Sequence, residues 1–192
     1  MATKTRTRKS DKWKLKRWYM VVTPDYLGDK EIGEIISHDP ENIPGRRIKV
    51  PISDITGSFS PEAVYASVNL RATRVDGSKV VTEVDGYEMA FSYLKSLARK
   101  RRSVIHSVLD IVLKDGKKVR VKAMLVTLKK VSHTVKSNLR KAFESAIVDR
   151  VKKMRYPDFV NAVVKGTLVA DVFKEVNKVN PVETVVVKKF EA

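Results

Sequence analysis

The sequence predicts an α+β fold, with a mainly antiparallel sheet in the first two-thirds of the chain and helices in the last third. Three observations predict it. Alternating apolar and polar residues, many of them β-branched or aromatic, recur up to about residue 130. Two Asp-Gly dipeptides each separate a pair of such runs, as in tight hairpins. After residue 131 the apolar residues recur every three or four positions, as on one face of a helix.

The chain is expected to have three parts. Residues 1–15 form a basic tail without an apolar period, which predicts a segment that is disordered when free. Residues 16–130 form a β-rich lobe with one inserted helix, whose strands and Gly- or Pro-containing turns can curl into a barrel. Residues 131–192 form a helix-rich lobe that ends in a strand. A chain of 192 residues is long enough for one good core or for two small lobes, and the two lobes are expected to pack as one compact unit.

Short strands open the β-rich lobe. The stretch "RWYMVVTP" is aromatic and β-branched and stops at Pro24, and "EIGEIIS" follows it. In "RRIKVPIS", Ile48, Val50 and Ile52 alternate with other residues. Pro51 in this stretch predicts an edge strand or a bulge, because proline has no N–H for a sheet ladder.

A hairpin and a helix come next. The runs Val64–Val75 and Lys79–Val84 flank Asp76-Gly77, which predicts a tight turn because glycine accepts a positive φ. Asp85-Gly86 is expected to end the second run. Apolar residues of Tyr87–Ala98 then recur at three- and four-residue steps, which predicts the inserted helix.

Four adjacent cations, Arg99–Arg102, follow that helix. If the helix continues through them, Lys95, Arg99 and Arg102 share one face. An interaction with the helix dipole, worth about 0.3–1 kcal/mol each, explains one or two of these charges but not four that repel one another. A nuclear-import signal and a plain solvated surface are the alternatives to phosphate binding.

A second hairpin continues the basic stretch. Val104–Leu113 and Lys117–Leu128 flank Asp115-Gly116. In "KKVRVKA", alternation places Val119 and Val121 on one face and the three cations between and around them on the other. A sheet with one apolar face and one cationic face has a core side and an RNA-facing side.

The last third reads as three helices and a strand. His133–Met154 carries one apolar stripe, and Pro157 lies just beyond it. "DFVNAVVKG" and "TLVADVFKEV" predict two shorter helices, with Gly166 as a C-cap and Thr167 as an N-cap. "VETVVVKKF" predicts a final strand.

The net charge of +17 is concentrated in two blocks. Residues 1–18 contain eight Lys or Arg and one Asp, and residues 95–141 contain fifteen Lys or Arg and two Asp. Residues 19–94 between them are acidic, with seven Lys or Arg against twelve Asp or Glu. Concentrated positive charge suits a phosphate backbone or an anionic membrane surface.

No residue pattern indicates catalysis. The chain has no cysteine, which excludes disulfides, thiolate chemistry and Cys-based zinc sites. Gly28 and Gly33 have phosphate-loop spacing, but Glu34-Ile35 follow where a Lys and a Ser or Thr are needed. No run approaches about 18 apolar residues, and the N-terminal stretch lacks a signal-peptide pattern. We expect a cytoplasmic protein that is not an enzyme and takes no cofactor, metal, membrane or small-molecule substrate.

The candidate site is therefore a basic surface for RNA. Contact through shape and backbone is expected, because no RNP-type aromatic motif or KH-type glycine loop appears. Trp13 can stack on bases, whereas Trp18 and Tyr19 suit a strand core equally well. The predicted RNA-binding residues are Lys4, Arg6, Arg8, Lys9, Lys12, Trp13, Lys14, Lys16, Arg17, Arg46, Arg47, Lys95, Arg99, Lys100, Arg101, Arg102, Lys117, Lys118, Arg120, Lys122, Lys129, Lys130, Lys136 and Arg140.

Several stretches resemble a known family. "KRWYMVVTPDYLG", "GEIISHDPENIPGRRIKVPISDITG", "LKSLARKRRSVIHSVLDIVLKDGKKVRVKA" and the closing helices are similar to the archaeal and eukaryotic small-subunit ribosomal proteins called S-one-e or S-three-A-e. The similarity begins at about Lys12. His106, where an Asp is expected, and the segment Ser58–Leu70 depart from the family. Ending at Ala192, without the long extension of eukaryotic members, the chain resembles the archaeal type.

The resemblance implies a structural protein of the small subunit's platform, near the mRNA exit. It implies contact with rRNA and with neighbouring ribosomal proteins, and mRNA nearby. The acidic segment 19–94 is expected to face a basic protein neighbour. Charge alone fits a free-standing RNA- or DNA-binding regulator equally well, so only the resemblance separates these two functions. An RNA-processing enzyme is a third alternative with little support.

Overall fold

A computed structural model describes residues 13–192 of the chain. Eight strands in this part form one sheet. They are β1 (Arg17–Val22), β2 (Glu31–Ser37), β3 (Arg47–Pro51), β4 (Ala66–Asp76), β5 (Lys79–Met89), β6 (Val104–Val112), β7 (Lys118–Thr127) and β8 (Val182–Glu191).

Helices connect and cover these strands, and the mixture confirms the α+β class. The two shortest, between β3 and β4, were not predicted from the sequence. The helices are α1 (Ile52–Thr56), α2 (Pro61–Tyr65), α3 (Phe91–Leu97), α4 (His133–Val151), α5 (Tyr156–Val164) and α6 (Thr167–Asn177), with 3-10 turns at Asp25–Leu27 and Pro40–Asn42.

Both predicted hairpins are confirmed. β4 turns into β5 at Asp76-Gly77 and β6 into β7 at Asp115-Gly116, with φ angles of +63° and +77° at the two glycines. Asp115 does more than make a turn, since its carboxylate accepts the backbone N–H of Tyr156 at 2.9 Å. The second hairpin is thereby tied to the start of α5.

β5 is the strand at which the sheet branches. One edge of β5 pairs with β4, and β3 continues that side. The other edge pairs with β1 at Lys79–Val81, in parallel, and then with β8 at Gly86–Glu88. β2 follows β1, whereas β7 and β6 follow β8. The sheet is therefore antiparallel except at the β1–β5 pair.

The sheet is not closed into a barrel. β2 and β3 end their groups of strands, and no ladder joins them to each other or to β6 within the described part of the chain. β3 pairs only with β4, as expected for an edge strand that ends at Pro51.

β5 runs past Asp85-Gly86 to Met89, so the prediction that this dipeptide ends the strand is wrong. A Cβ atom at Gly86 would lie 2.6 Å from the backbone carbonyl oxygen of Phe190 in β8. Glycine is needed here because two backbones approach closely, and not because the chain turns.

α3 is shorter than the predicted helix Tyr87–Ala98, because its expected first turn belongs to β5. The helix also ends before the basic cluster. The condition under which Lys95, Arg99 and Arg102 would share a helical face is therefore not met. Arg101 has a φ of +66°, a turn conformation that starts the chain towards β6.

The long C-terminal helix is confirmed as α4. Its stripe is buried, with Leu139, Phe143, Ile147 and Val151 at most 1% exposed. The final strand is confirmed as β8.

Gly166 separates α5 from α6, as expected, with a φ of +73°. Thr167 is not an N-cap. It is already the first residue of α6, and its hydroxyl donates to the carbonyl of Ala162 at 3.3 Å.

One hydrophobic core joins sheet and helices. It contains Val121 and Leu125 of β7, Phe143 of α4, Phe159 of α5 and Phe190 of β8. α4 packs on β6 and α6 packs on β8, which covers one face of these strands. The opposite face of β6, β7 and β8 is partly exposed, and it carries the candidate site.

Candidate nucleic-acid interface

β7 presents a cationic face, as its alternation predicts. Val119 and Val121 are 1% exposed and point into the core. Lys118 and Arg120 are exposed and Lys122 is half-buried on the other face.

Arg120 is held by an acid of the neighbouring strand. Its Nε and Nη2 groups donate to the two carboxylate oxygens of Asp110 at 2.6 and 2.9 Å. This paired hydrogen bond lowers the pKa of Asp110 below its usual range. Asp110 thus stays ionised and neutralises much of the charge that Arg120 could offer to a phosphate.

Lys122 lies in a second group of lysines. Its Cα partner across the β7–β8 ladder is Lys189, and Lys188, which precedes Lys189 in β8, lies at a register shift of this ladder. With Lys49 of β3 they line a shallow concavity of ≈ 300 Å³, which Phe91 also lines. We call this site the lysine concavity (Lys49, Lys122, Lys188, Lys189 and Phe91).

Acids engage only part of the lysine concavity. Lys49 pairs with Glu88 at 3.0 Å, and Lys189 pairs with Glu191 at 2.6 Å. The other two lysines form no ion pair within residues 13–192. Their charge is available to an anionic ligand.

A second basic region forms where the Arg99–Arg102 cluster packs on the loop before α4. Thr127 donates its N–H to the carbonyl of Ser103 at 3.0 Å, and Ser103 donates its N–H to the hydroxyl of Thr127 at 3.0 Å. Val131 donates its N–H to the hydroxyl of Ser103 at 3.2 Å. We give the name basic corner to the cations next to these bonded segments together with two cations in the first part of α4; it comprises Arg99, Lys100, Arg101, Arg102, Lys129, Lys130, Lys136 and Arg140.

The cations of the basic corner differ in availability. Arg102 is half-buried and pairs with Glu183 of β8, so it fixes the cluster to the sheet. Lys100 and Arg101 are exposed at the turn and form no ion pair within the described residues.

Replacing Thr127 by valine is expected to lower the free energy of unfolding by about 1–3 kcal/mol. Both Thr127 and Ser103 are buried, and valine keeps the shape while leaving the Ser103 N–H without an acceptor. Urea denaturation measures the loss. Thr73→Val is the control, since the hydroxyl of Thr73 is exposed and donates to Val81 at 3.1 Å. Equal losses in both variants would show that the buried bonds do not fix the corner.

His106 lies between the two basic regions. Its pKa is lowered from 6.5 by partial burial, and further by the charges of Lys188 and Arg140. The side chain is therefore neutral at pH 7. A residue that was unexplained by the sequence thus marks the junction of the lysine concavity and the basic corner.

The stability of the free protein is expected to fall on acidification through His106. Because its pKa is lower in the folded chain, the unfolded chain binds more protons below pH 6.5. Stability is therefore retained above pH 6.5 and is lost as the pH falls through the folded pKa. Urea denaturation of wild type and His106→Gln at about pH 7.5 and about pH 5.5 measures the difference. An equal acid loss in both proteins would contradict it.

Some predicted cations contact other protein groups. Arg47 pairs with Asp85 at 2.7 Å. Arg46 donates to two backbone carbonyl oxygens, at 2.9 and 3.2 Å. Lys117 lies 3.6 Å from the centre of the Tyr156 ring, at the far end of the β6–β7 hairpin. The structure does not bring these three into the lysine concavity or the basic corner.

The residues before β1 are described only in part. Trp18 is 62% exposed and Tyr19 is 5% exposed, so only Tyr19 is buried, in a small apolar cluster apart from the main core. The ammonium of Lys16 lies 4.1 Å from the centre of the Trp13 ring. Four of the predicted RNA-binding residues in this region are described and exposed: Trp13, Lys14, Lys16 and Arg17. Outside the described residues lie Lys4, Arg6, Arg8, Lys9 and Lys12.

Three lysines and the phenylalanine of the lysine concavity were missed in the sequence. Lys188 and Lys189 stand in "VVVKKFE", where the pair of lysines in a β-branched run was a signal. Their proximity to Lys122 depends on the β7–β8 pairing, which local sequence does not reveal. Lys49 comes from yet another strand.

Residues 13–192 contain neither a membrane-spanning helix nor a cluster of metal ligands. No helix in that range is long and apolar enough to cross a membrane. Nor does that range contain a group of three or more His, Cys, Asp or Glu able to hold a metal ion.

Comparison with known proteins agrees with the resemblance in the sequence. The model of the Ribosomal S3Ae family matches residues 4–192. A protein of Saccharolobus solfataricus named small ribosomal subunit protein eS1 is 32% identical over 179 residues, which is 93% of this chain and 85% of that protein. Its namesake in Archaeoglobus fulgidus is 30% identical over 192 residues, 100% of this chain and 91% of that protein. The predicted family is thereby confirmed, and the chain belongs to the Ribosomal S3Ae family.

Proposed function

We propose that this protein is a structural constituent of the small ribosomal subunit, which binds rRNA through the basic corner and the lysine concavity and thereby supports translation. Family membership and the archaeal relatives named small ribosomal subunit protein eS1 support this function. The family is a structural, non-enzymatic one. Its relatives indicate a location in the ribosome, in the cytoplasm.

The main support for rRNA binding is the separation of basic from acidic residues along the chain. The block 95–141 holds fifteen Lys or Arg and two Asp, and one of those acids already pairs with Arg120. The core helices α4 and α6 pack on the other face of this part of the sheet, against β6 and β8, so the cations of β7 remain accessible. An accessible cationic face opposite a packed face suits a phosphate backbone.

In our proposal, most of the affinity for rRNA comes from the cations that form no ion pair within residues 13–192. Three arginines contact protein groups and therefore hold the binding surface in place rather than supply most of its affinity for rRNA: Arg46, Arg47 and Arg102. The basic tail completes the RNA-binding surface, and its charge supports that role.

We further propose where this protein lies in the small subunit and which kind of protein adjoins it. The resemblance supports a position on the platform near the mRNA exit, with other ribosomal proteins adjoining. The acidic segment 19–94 faces a basic one of these. Glu34 and Asp54 support this role, because both are exposed, adjoin the gap between β2 and β3, and form no ion pair within residues 13–192.

Sedimentation tests the function. The protein is expected to move with small subunits through a gradient in high salt, as an integral constituent of the subunit does and a factor held by charge alone does not. Recovery only in the soluble fraction would overturn the proposal and favour a free-standing RNA- or DNA-binding regulator. Crosslinks from the segments around Asp25, Glu31 and Glu34 are expected on proteins; crosslinks to RNA alone would overturn the role of the acidic segment.

A further inference from the structure

We propose that the lysine concavity holds an unpaired rRNA nucleotide, with its base stacked on Phe91 and its phosphate between Lys122 and Lys188. This inference rests on the proposed rRNA binding and goes beyond it. Contact with the duplex backbone needs only cations, whereas this site adds an aromatic surface for one extruded base.

Phe91 is accessible enough to stack. Its side chain, at the start of α3, is 68% exposed, although phenylalanine is usually buried. The ammonium of Lys95 lies 4.7 Å from the ring centre, over one face. In our proposal the base stacks on the opposite face of this exposed ring.

The concavity next to Phe91 is suited to a nucleotide. Its ≈ 300 Å³ lies at the lower end of the range of about 300–1,000 Å³ for small-ligand sites. Met89, Ala90 and Leu94 give it an apolar wall beside the ring, and Glu88, which pairs with Lys49, is the one acid in its lining. An apolar wall with cations at its rim fits a base and a phosphate together, and suits a bare phosphate less well.

The cations of the site are arranged for one anion. Glu88 and Glu191 already neutralise Lys49 and Lys189. Lys122 of β7 and Lys188 of β8 form no ion pair in the described part of the chain, and they come from paired neighbouring strands. A phosphate between them relieves the repulsion between their two charges.

Binding of two RNA probes tests the site. One is a single strand of about ten nucleotides that carries 2-aminopurine, and the other is a duplex of rRNA sequence. Phe91→Ala is expected to weaken binding of the single strand roughly 5- to 150-fold and to leave duplex binding unchanged. Phe91→Trp is expected to restore the affinity and to quench the 2-aminopurine fluorescence through stacking.

Phe59→Ala is the matched control, because Phe59 is also exposed, at 86%, and does not line the concavity. It is expected to change neither probe. Both alanine variants remove exposed rings, so thermal unfolding should match that of the wild type.

Each contrary outcome has a distinct meaning. Unchanged single-strand binding by Phe91→Ala overturns the stacking site. If the double variant Lys122→Ala/Lys188→Ala nevertheless weakens duplex binding, the proposed rRNA-binding function is retained without the stacking site. Failure of the wild type to bind either probe, or any fragment of small-subunit rRNA, overturns both. A photoreactive group at position 91 that crosslinks only to protein in assembled subunits also overturns the site.

Discussion

Replacing Arg99, Lys100 and Arg101 together by alanine is expected to reduce the salt dependence of rRNA binding and to lower the affinity. Each lost contact with a duplex phosphate reduces the slope of log K against log salt by up to about 0.9, and three contacts by up to about 2.7. Arg102 is left in place because it pairs with Glu183, and its loss would disturb the fold as well as the charge.

A matched variant separates the position of the charge from its amount. Lys152, Lys153 and Lys178 are exposed, lie near the ends of α4 and α6, and belong to the helical side of the molecule. Their replacement by alanine removes the same charge and is expected to change the slope little. Filter binding to an rRNA fragment at several salt concentrations gives both slopes. Equal slopes for the two triple variants would show that the basic corner does not touch RNA.

Gly86→Ala is expected to destabilise the protein by about 1–3 kcal/mol or more, the usual cost of forcing atoms into a packed site. The new methyl group would meet the carbonyl oxygen of Phe190 at 2.6 Å, and backbone cannot rotate away as a side chain can. Relief requires β5 and β8 to separate at Gly86–Glu88, the short ladder that joins the two strand groups. Urea denaturation measures the loss, and β8 amides are expected to exchange faster with solvent.

Gly33→Ala is the control for this substitution. Gly33 also lies within a strand, β2, and a Cβ atom added there would meet no atom within 4 Å apart from its own chain neighbours. Alanine is expected to be neutral or slightly stabilising there, because it restricts the unfolded chain. If both variants lost the same stability, the loss would reflect glycine's general effect in strands and not the contact with Phe190.

Local patterns identified most elements of the fold. The Asp-Gly turns and the alternation in β7 depend on residues a few positions apart, and the stripe of α4 depends on a period of 3.6 residues. The class, both hairpins, the long helix and the final strand were therefore predictable. The role of Asp85-Gly86 could not be predicted in this way, because Gly86 is required by a close contact with Phe190, about a hundred residues away in the chain.

The candidate site was only half predictable for a related reason. The sequence shows how many charged residues the chain has, but not which of them pair with one another in the fold. Arg102 and Arg120 appear equivalent to Lys100 in the sequence, yet Glu183 and Asp110 pair with the two arginines. The exposure of Phe91 was likewise hidden, since its spacing placed it among the apolar residues of a helix.

The sequence by itself determined the family, the class of the fold and the basic character of the surface, because these depend on residue order and net charge. Only the tertiary structure decided which cations are available and which meet. Lys122 and Lys188 adjoin because β7 and β8 pair, and the basic corner forms because buried hydrogen bonds join Ser103 to Thr127. Contacts between distant parts of the chain depend on packing and pairing, which no local pattern encodes.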